Sequence, residues 1–354
     1  MKITLLGEFS GFHNNLKSGL QLLGHQVQLV AGGDGYKKLA VDVSLDSRFS
    51  GVFGKAERVI RGFLAVCNLH GQDLVQLVNP VIFPQGIGLN QRLIRQLMKQ
   101  NGKIALSACG DDNFFVSQGI HQMRYNPISE ALHYDYRREQ HPYDNPTDRA
   151  WNLELAQQVD HIIPVMHEYE LAYRDFSNTG PCIPLPVDCG LINFEPLKAT
   201  KKIVVFHGLN RYGFKGTRYV EQAFEILSRR YPTQLELVIK GGMPLKDYLA
   251  LMRQTHVVID QVNSYSCGMN ALYALAMGKV VIGGAEPESL KALGIDKSPV
   301  INVIPEVASI VSAVERVLHQ KNDIEELSLL SRQFVEQVHS HSKVAELYLR
   351  RWNT

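Results

Sequence analysis

The 354-residue sequence lacks the patterns that mark several classes of protein. Its five cysteines are an odd number without a CxxC pair, which argues against a disulfide framework and a structural zinc site. Lys and Arg exceed Asp and Glu by only 37 − 35 = 2, so the net charge indicates no nucleic-acid partner. No apolar run approaches the roughly 18 residues of a membrane span. What remains is a soluble globular protein, for which 45% apolar and 20% charged residues are ordinary values.

Motifs of metal, hydrolase and P-loop chemistry are absent as well. The sequence contains no HExxH, no GxSxG and no GxxxxGK[ST]. We therefore expect neither a metal site nor a bound cofactor.

The N-terminus predicts a cytosolic protein. Glu8 interrupts the apolar run that follows Met1, so that run is shorter than the apolar region of a secretory signal. Unpaired cysteines also suit a reducing compartment. Peripheral contact with the inner membrane surface stays open as an alternative.

The first half reads as alternating strands and helices. An apolar run at 3–6 is followed by Leu16, Leu20 and Leu23, which lie on one face of a helix. Gly24 is placed to end that helix. Further predicted strands are Val27–Val30, Leu74–Val78, Ile104–Leu106 and Ile162–Val165. This order is typical of a doubly wound parallel sheet.

The pattern restarts after a cluster of prolines at 181, 184 and 186. The predicted strands of the second half are Lys202–Phe206, Leu235–Ile239, Val257–Ile259 and Val280–Ile282, and the tail from 324 to 352 is helical in pattern. The predicted fold class is α/β, with two Rossmann-like doubly wound parallel-sheet domains facing a cleft and C-terminal helices packing back. We place the domains at 1–187 and 188–335, with 336–354 returning to the N-terminal domain.

Ligands of such sheets bind beyond the carboxyl ends of the strands, which draws attention to the loop 7–13. Gly7 and Gly11 allow a tight turn and a close backbone approach to a ligand, although an ordinary turn is an equal alternative. His13 is interpreted as a solvated loop histidine or, less favoured, a catalytic base. Asp111 and Asp112 follow another strand, where binding of an acceptor hydroxyl and capping of the next segment are equal alternatives.

The loop 207–217 carries Arg211 and Lys215 between glycines, just before a predicted helix. Arginine offers a planar fork to a phosphate and lysine a point charge. Together these two cations are suited to neutralise a diphosphate leaving group as its charge develops. Two solvated loop cations are the alternative.

A third segment runs from Ser264 to Gly278. Gly268 opens a predicted helix that ends at Gly278, and either Ser264 or Ser266 is placed to cap it. The amides near Gly268, Met269 and Asn270 would then face an anion at the positive end of the helix dipole. An ordinary buried helix between strands is the alternative.

Taken in order, these segments resemble a known family. The second half is similar to the C-terminal domain of GT-B glycosyltransferases of the retaining family 4 type. That family has an Arg…Lys loop followed by E-G-F-G-x3-L-E-A-M-A-x-G-K-P-V-V. The matching stretches here are 210–217 and 268–281, and weaker similarity covers 24–27, 108–111 and 183–188, so the resemblance is nearly full-length.

The resemblance implies roles for further residues. The family's two glutamates, spaced as E-x7-E, fall on Tyr265 and Tyr273 in this chain. The first position contacts the donor sugar and the second the ribose hydroxyls, so both tyrosines are candidate donor-binding residues. Glu286 and Glu288, after the next strand, are alternative acidic partners.

The expected function is transfer of a sugar from a nucleoside-diphosphate donor to a carbohydrate or lipid-linked acceptor. By resemblance, transfer retains the anomeric configuration without a metal, and the sequence also lacks the DxD triplet of metal-dependent glycosyl transfer. A non-catalytic GT-B-shaped binding or assembly subunit is the first alternative. A nucleotide-sugar epimerase is the second.

Overall fold

The structure is a computed structural model that describes residues 1–34, 39–117, 119–243 and 245–354. Its strands are β1 (Lys2–Leu6), β2 (Gln26–Ala31), β3 (Val43–Ser44), β4 (Leu74–Leu77), β5 (Lys103–Ala108), β6 (His161–Pro164), β7 (Ile203–Gly208), β8 (Leu235–Lys240), β9 (Val257–Ile259), β10 (Val280–Gly283) and β11 (Ile301–Asn302).

The α-helices follow the same chain order. They are α1 (Phe12–Leu22), α2 (Gly51–Asn68), α3 (Leu89–Gln100), α4 (Asn113–Ser117), α5 (Pro127–Ala131), α6 (Pro146–Gln158), α7 (His167–Tyr173), α8 (Thr217–Arg230), α9 (Leu245–Gln254), α10 (Met269–Ala276), α11 (Pro287–Ala292), α12 (Val307–His319), α13 (Ile324–Val338) and α14 (His341–Trp352).

Contacts divide the chain into two compact units. The first comprises 1–119, 143–188 and 341–354, and the second comprises 120–142 and 189–340. The contact-based division differs from the sequence-based boundaries at three places. The segment 120–142 is part of the second unit, Asp188 is part of the first, and the return to the first unit begins at 341 instead of 336.

The first unit is built on a six-stranded parallel sheet. Its strand order is β3-β2-β1-β4-β5-β6, so the chain moves outward in one direction from β1 and then in the other from β4. The point of reversal between β1 and β4 is where doubly wound sheets bind ligands. The predicted parallel sheet of the first half is confirmed.

The second unit contains a five-stranded parallel sheet in the order β11-β10-β9-β7-β8. Counted from β7 this is the 2-1-3-4-5 order, which reverses between β7 and β9. Helices α8 and α12 bury Val220, Leu227, Ile310 and Val314 in the core of this unit. The predicted second doubly wound domain is confirmed.

Helix α14 completes the core of the first unit by packing on α1. Its Tyr348 and Trp352 are fully buried, and the indole N–H of Trp352 donates to Gln76 Oε1 at 2.9 Å. Gly19 of α1 faces the first turn of α14 so closely that a β-carbon there would overlap the carbonyl oxygen of His341. Because a backbone carbonyl cannot swing aside, only glycine permits this helix–helix approach.

In the part of the chain that the structure describes, no helix combines the length and apolarity needed to cross a bilayer. Helix α2 has eighteen residues but carries Lys55, Arg58 and Arg61.

We predict that Gly19→Ala destabilises the protein. Alanine is favoured over glycine by about 1 kcal/mol within a helix, so an unconstrained glycine would gain stability on replacement. Here the overlap with the His341 carbonyl forces α1 and α14 apart, and overpacking of this kind costs about 1–3 kcal/mol. Chemical denaturation would measure the free energy of unfolding.

Leu22→Ala is the control for that experiment, because Leu22 lies on the same helix and is 69% exposed. It should change the free energy of unfolding by no more than about 0.5 kcal/mol. A Gly19→Ala variant more stable than wild type would contradict the assigned packing of α14 on α1.

Candidate functional site

The loop between β7 and α8 lies at the strand-order reversal of the second sheet. It is wound into a tight turn, in which the amide of Lys215 donates to Arg211 O and the amide of Thr217 donates to Tyr212 O, both at 3.0 Å. Gly216 precedes α8 with φ 70°, and a β-carbon there would overlap Val262. The glycine predicted to lie beside the cations is thus required by both backbone angle and space.

Arg211 is half-buried and its guanidinium lies over the ring of Phe214, 3.7 Å from the ring centroid. Its Nη2 also approaches the hydroxyl of Tyr136 at 3.4 Å. Stacking on an aromatic face fixes the plane of the guanidinium while its N–H groups keep a fork geometry suited to phosphate. Arg211 is therefore not the solvated loop cation of the alternative interpretation.

Lys215 is buried and forms an ion pair with Asp260, which follows β9, at 2.9 Å from Nζ to Oδ1. Both side chains are more than nine-tenths buried, so each charge depends on the other. The pair joins the loops that follow β7 and β9. Asp260 was not predicted as a site residue, although a carboxylate at the end of a buried strand was the available signal.

His207, the residue before Gly208 in β7, is buried beneath this pair. Its Nδ1 lies 2.9 Å from Ile259 O and its Nε2 lies 2.9 Å from the hydroxyl of Thr217. Burial, and next the charge of Lys215, lower the pKa of His207 to about 4. The imidazole is consequently neutral, donating from Nδ1 and accepting at Nε2.

Helix α10 begins at Gly268, as predicted. The Oγ of Ser266, one of the two serines expected to cap this helix, bonds Ser289 Oγ of α11 at 2.8 Å. The cap by Ser264 or Ser266 stays a prediction. A β-carbon on Gly268 would lie 4.0 Å from Asp260 Oδ2, so the helix starts beside the Lys215–Asp260 pair.

The first residues of α10 have different environments. Met269 is buried, Asn270 is exposed, and Tyr273, one turn further on, is half-buried. The structure thus places Gly268 beside the ion pair and leaves Asn270 exposed in the first turn of the helix. Met269 contributes its side chain to the core.

Tyr265 is buried in a cluster that the sequence did not indicate. Its hydroxyl accepts the backbone N–H of Arg124 at 2.7 Å, and the guanidinium of Arg124 lies 4.8 Å from the centre of its ring. The ring of Tyr125 packs on it at a centroid distance of 4.8 Å. Tyr265, which the resemblance aligns with a donor-binding glutamate, is thus engaged with residues of the 120–142 segment.

The two alternative acidic residues belong to the same cluster. Glu286 and Glu288 both form ion pairs with the guanidinium of Arg124. Glu286 also accepts from the hydroxyl of Tyr125 at 2.9 Å and from Asn302 Nδ2 at 2.7 Å. Both carboxylates therefore bind Arg124, an interaction for which no signal exists in the local sequence.

The 120–142 segment also forms hydrogen bonds and an ion pair with residues in and just after the loop 207–217, which carries Arg211 and Lys215. Asp135 accepts from the backbone amides of Gly213 and Phe214 at 3.0 and 2.9 Å. Glu130 forms a bidentate ion pair with Arg218 at 2.6 and 2.8 Å. A β-carbon on Gly213 would overlap Glu130 O. Residues on 120–142 thus fix the conformation of the loop from outside it.

In the first unit, Gly7 and Gly11 adopt left-handed backbone angles with φ of 85° and 89°. A β-carbon on Gly7 would overlap Val78, so the predicted close approach is to this side chain. The buried carboxylate of Glu8 accepts from the amides of Gly11 at 3.0 Å and Asn14 at 2.8 Å. Burial raises the pKa of Glu8, while its hydrogen bonds with Asn14 lower it. A carboxyl group of the protein itself therefore occupies the start of α1.

His13 lies in the first turn of α1 and is fully buried, so its interpretation as a solvated loop histidine is wrong. Its Nδ1 donates to Gly7 O at 2.7 Å, while its Nε2 has no hydrogen-bond partner among the described residues. Burial lowers the pKa of His13 to about 3. The side chain therefore closes the loop 7–13 as a neutral imidazole.

Two roles were predicted for Asp112, binding of an acceptor hydroxyl and capping of the next segment, and the structure shows it capping α4. Its Oδ1 accepts the amide of Phe115 in α4 at 2.9 Å, and its Oδ2 accepts the hydroxyl of Tyr173 at 2.7 Å. Burial raises the pKa of this carboxyl to about 6. Asp111 is half-buried, and its backbone oxygen accepts from Asn79.

Within the described ranges, no three His, Cys, Asp or Glu side chains come close enough to hold a metal ion.

We predict that His13 makes the protein sensitive to acid. Its folded-state pKa of about 3 lies below the ordinary 6.5, so the unfolded chain takes up its proton first. The stabilisation is complete above pH 6.5 and is lost as the pH falls toward 3. At pH 4.5 the loss reaches about 2–3 kcal/mol. Denaturant titrations at several pH values would show a shallower pH dependence in His13→Asn, whose Nδ2 keeps the donor to Gly7 O.

His70→Asn is the matched control, because His70 is exposed. It should leave the pH dependence of wild type unchanged. If His13→Asn shows the full wild-type loss between pH 6.5 and 4.5, the buried neutral His13 is not its cause.

No protein-family model matches the sequence, and no curated protein is significantly similar to it. Solved structures are similar in fold. A sucrose-phosphate synthase from Thermosynechococcus elongatus matches with a TM-score of 0.63 at 16% identity, covering 100% of this chain and 98% of that one.

Two further structures extend the comparison. HepE from Anabaena, solved with UDP and glucose, gives a TM-score of 0.63 at 11% identity and covers 100% of both chains. A glycosyltransferase from Rickettsia africae gives 0.56 at 12% identity, covering 99% of this chain and 97% of that one. Such low identities establish the fold alone, and membership of retaining family 4 stays a prediction. The chain has a GT-B glycosyltransferase fold.

Proposed function

We propose that this protein is a glycosyltransferase that moves a sugar from a nucleoside-diphosphate donor to a carbohydrate or lipid-linked acceptor. The observation that carries the proposal is the grouping at the β7/β9 reversal of Arg211, Lys215 and the start of α10. Similar structures were solved with UDP or UDP-glucose, which makes a UDP-sugar the first donor to test.

The proposed donor site has its cations held by protein contacts. Arg211 is stacked on Phe214, and Lys215 is fixed by Asp260 beside Gly268. A diphosphate at this position would meet the guanidinium fork and the backbone amides at the positive end of the α10 dipole. Groups that need no reorganisation stabilise a developing charge most effectively.

The charge balance assigns different roles to the two cations. Asp260 compensates Lys215 at close range, so this pair supplies a fixed dipole with its ammonium next to the loop. Arg211 supplies the planar, bidentate contact to phosphate oxygens. We therefore assign diphosphate binding mainly to Arg211 and transition-state stabilisation to both.

The proposed transfer retains the configuration at the anomeric carbon and needs no metal or cofactor besides the donor. The bond between that carbon and the leaving phosphate oxygen breaks, and a bond to the acceptor hydroxyl oxygen forms on the same face. The hydroxyl proton passes to the departing phosphate, which carries the negative charge. Acceptor binding is assigned to the first unit, at Gly7, Gly11 and Asp111.

A non-catalytic binding subunit is the second candidate. Two observations favour it: the charge of Lys215 is compensated by Asp260, and Tyr265 is engaged by Arg124 where the family has a donor-binding glutamate. Such a protein would bind a nucleotide or a glycan without turnover.

The first experiment is calorimetric titration with UDP, GDP, ADP, dTDP and CMP. We expect saturable binding of one diphosphate, with UDP the first candidate. Arg211→Ala removes charge-assisted hydrogen bonds, each worth about 1.5–3 kcal/mol, and should weaken binding about 10- to 150-fold. Arg253→Ala on the exposed side of α9 is the control and should bind as wild type does. Absence of binding at millimolar concentrations would contradict a donor site.

The second experiment measures nucleotide release from the sugar donor that binds, with a panel of glycan and lipid-linked acceptors. Lys215→Met alone leaves Asp260 buried without its partner and should cost about 3–5 kcal/mol of stability. The double variant Lys215→Met/Asp260→Asn removes both charges and should fold, yet lose transfer by orders of magnitude.

Asp260→Asn alone leaves Lys215 buried without its partner and should also cost about 3–5 kcal/mol of stability. Comparing it with the double variant separates loss of the ion pair from loss of the cation. Near-normal turnover in the folded double variant would overturn the catalytic assignment of Lys215. Nucleotide binding without turnover on any acceptor would instead favour the non-catalytic subunit.

A further inference from the structure

Helix α2 presents its large apolar side chains to solvent. The residues it buries are small or medium-sized: Gly54, Gly62, Ala65 and Val66. Val52, Phe53, Ile60, Phe63 and Leu64 are exposed, with Phe53 at 80% and Phe63 at 57%. An ordinary surface helix has the reverse arrangement, with its large apolar residues in the core.

The rotation of α2 is fixed by its glycines. A β-carbon on Gly62 would lie 3.0 Å from the ring of Phe83, and one on Gly54 would overlap Phe49 O. Turning the helix to bury Phe53 and Phe63 would bring a β-carbon into these tight places. The outward apolar face is therefore built into the packing.

The exposed apolar residues form one continuous stripe. Positions 52, 56, 59, 63 and 67 are spaced by four, three, four and four residues, which places them on one face of a helix, and all five are exposed. The exposed residues Phe53, Ile60 and Leu64 adjoin this face and widen the stripe. Phe49, just before the helix, is 63% exposed and extends the stripe. Contiguous apolar surface of this kind marks an interaction site.

The charges around the stripe indicate the partner. Between residues 48 and 68 lie the cations Arg48, Lys55, Arg58 and Arg61 and a single acid, Glu57, giving 4 − 1 = +3. Glu57 is bonded to Ser47 and pairs with Arg48 and Arg61, so it contributes little negative surface. Aromatic and aliphatic side chains beside cations are suited to the interface of an anionic bilayer.

We propose that α2 and Phe49 form a membrane-binding face that lies in the headgroup region of an anionic phospholipid bilayer. The helix inserts Phe53, Ile60 and Phe63 between lipids. Lys55, at the edge of the stripe, and Arg48, next to Phe49, contact phosphates. A second copy of this chain fits less well, because pairing two such faces would bring together two segments of charge +3. The binding requires no nucleotide and does not rest on the transfer reaction.

Flotation with vesicles tests this face. The full chain should float with mixed phosphatidylcholine–phosphatidylglycerol vesicles and remain unbound with phosphatidylcholine alone, and added salt should weaken binding. Phe53→Ser/Phe63→Ser should lower the partition coefficient at least about tenfold. Leu22→Ser/Leu191→Ser replaces two exposed leucines at 69% and 83% exposure elsewhere and should bind as wild type does.

A charge variant, Arg48→Gln/Lys55→Gln, should reduce the preference for phosphatidylglycerol while both phenylalanines remain. Thermal unfolding would establish that each variant is folded. Absence of vesicle binding by wild type, or unchanged binding by Phe53→Ser/Phe63→Ser, would overturn the proposal. Vesicle binding unaffected by that variant, together with its conversion of a dimer to a monomer in sedimentation, would assign the face to a second copy instead. Because the assay contains no nucleotide sugar, its outcome is separate from that of the transferase assays.

Discussion

The buried ion pair between Lys215 and Asp260 determines how the second unit is organised at its strand ends. Two nearly inaccessible opposite charges require each other, because removing one leaves the other without solvent or partner. The pair connects the loop after β7 with the end of β9, and Val262 and Asn263 add bonds to Lys215 O and Gly213 O. The two loops at the reversal of strand order therefore form one rigid body around Gly216, where a larger residue has no space.

The segment 120–142 extends this arrangement by supplying charges from a distant part of the sequence. Asp135 accepts hydrogen bonds from amides of the loop 207–217, and Glu130 forms an ion pair with Arg218. Arg124 forms ion pairs with both Glu286 and Glu288. Each partner lies 78 or more residues away along the chain. Short-range spacing carries no information on such pairs, so neither the membership of this segment in the second unit nor the engagement of Tyr265 followed from the sequence.

The sheets were predictable for a physical reason. Strands buried on both faces need continuous apolar runs, and runs such as 257–259 and 280–282 are short, undiluted and regularly spaced. The carboxyl ends of parallel strands meet at one edge of the sheet. For this reason the sequence predicts that the cations of the loop 207–217 and Gly268 lie close together. Burial of single side chains was harder to predict. His13 was interpreted as a solvated loop histidine, yet Glu8 and His13 are both buried, and Gly7 brings the backbone against Val78.

The N-termini of α1 and α10 differ in the groups that already lie there, and this difference supports the proposed donor site on the second unit. At α1 the carboxyl group of Glu8 accepts the amides of Gly11 and Asn14, so a phosphate there would find these amides already bonded. At α10 the N-cap residue is Gly268, which brings no side chain of its own, and the Lys215–Asp260 pair lies beside it. A diphosphate would therefore compete with a carboxyl group of the protein at the first terminus and would meet an ammonium next to the second. This contrast is the physical argument for proposing the donor on the second unit.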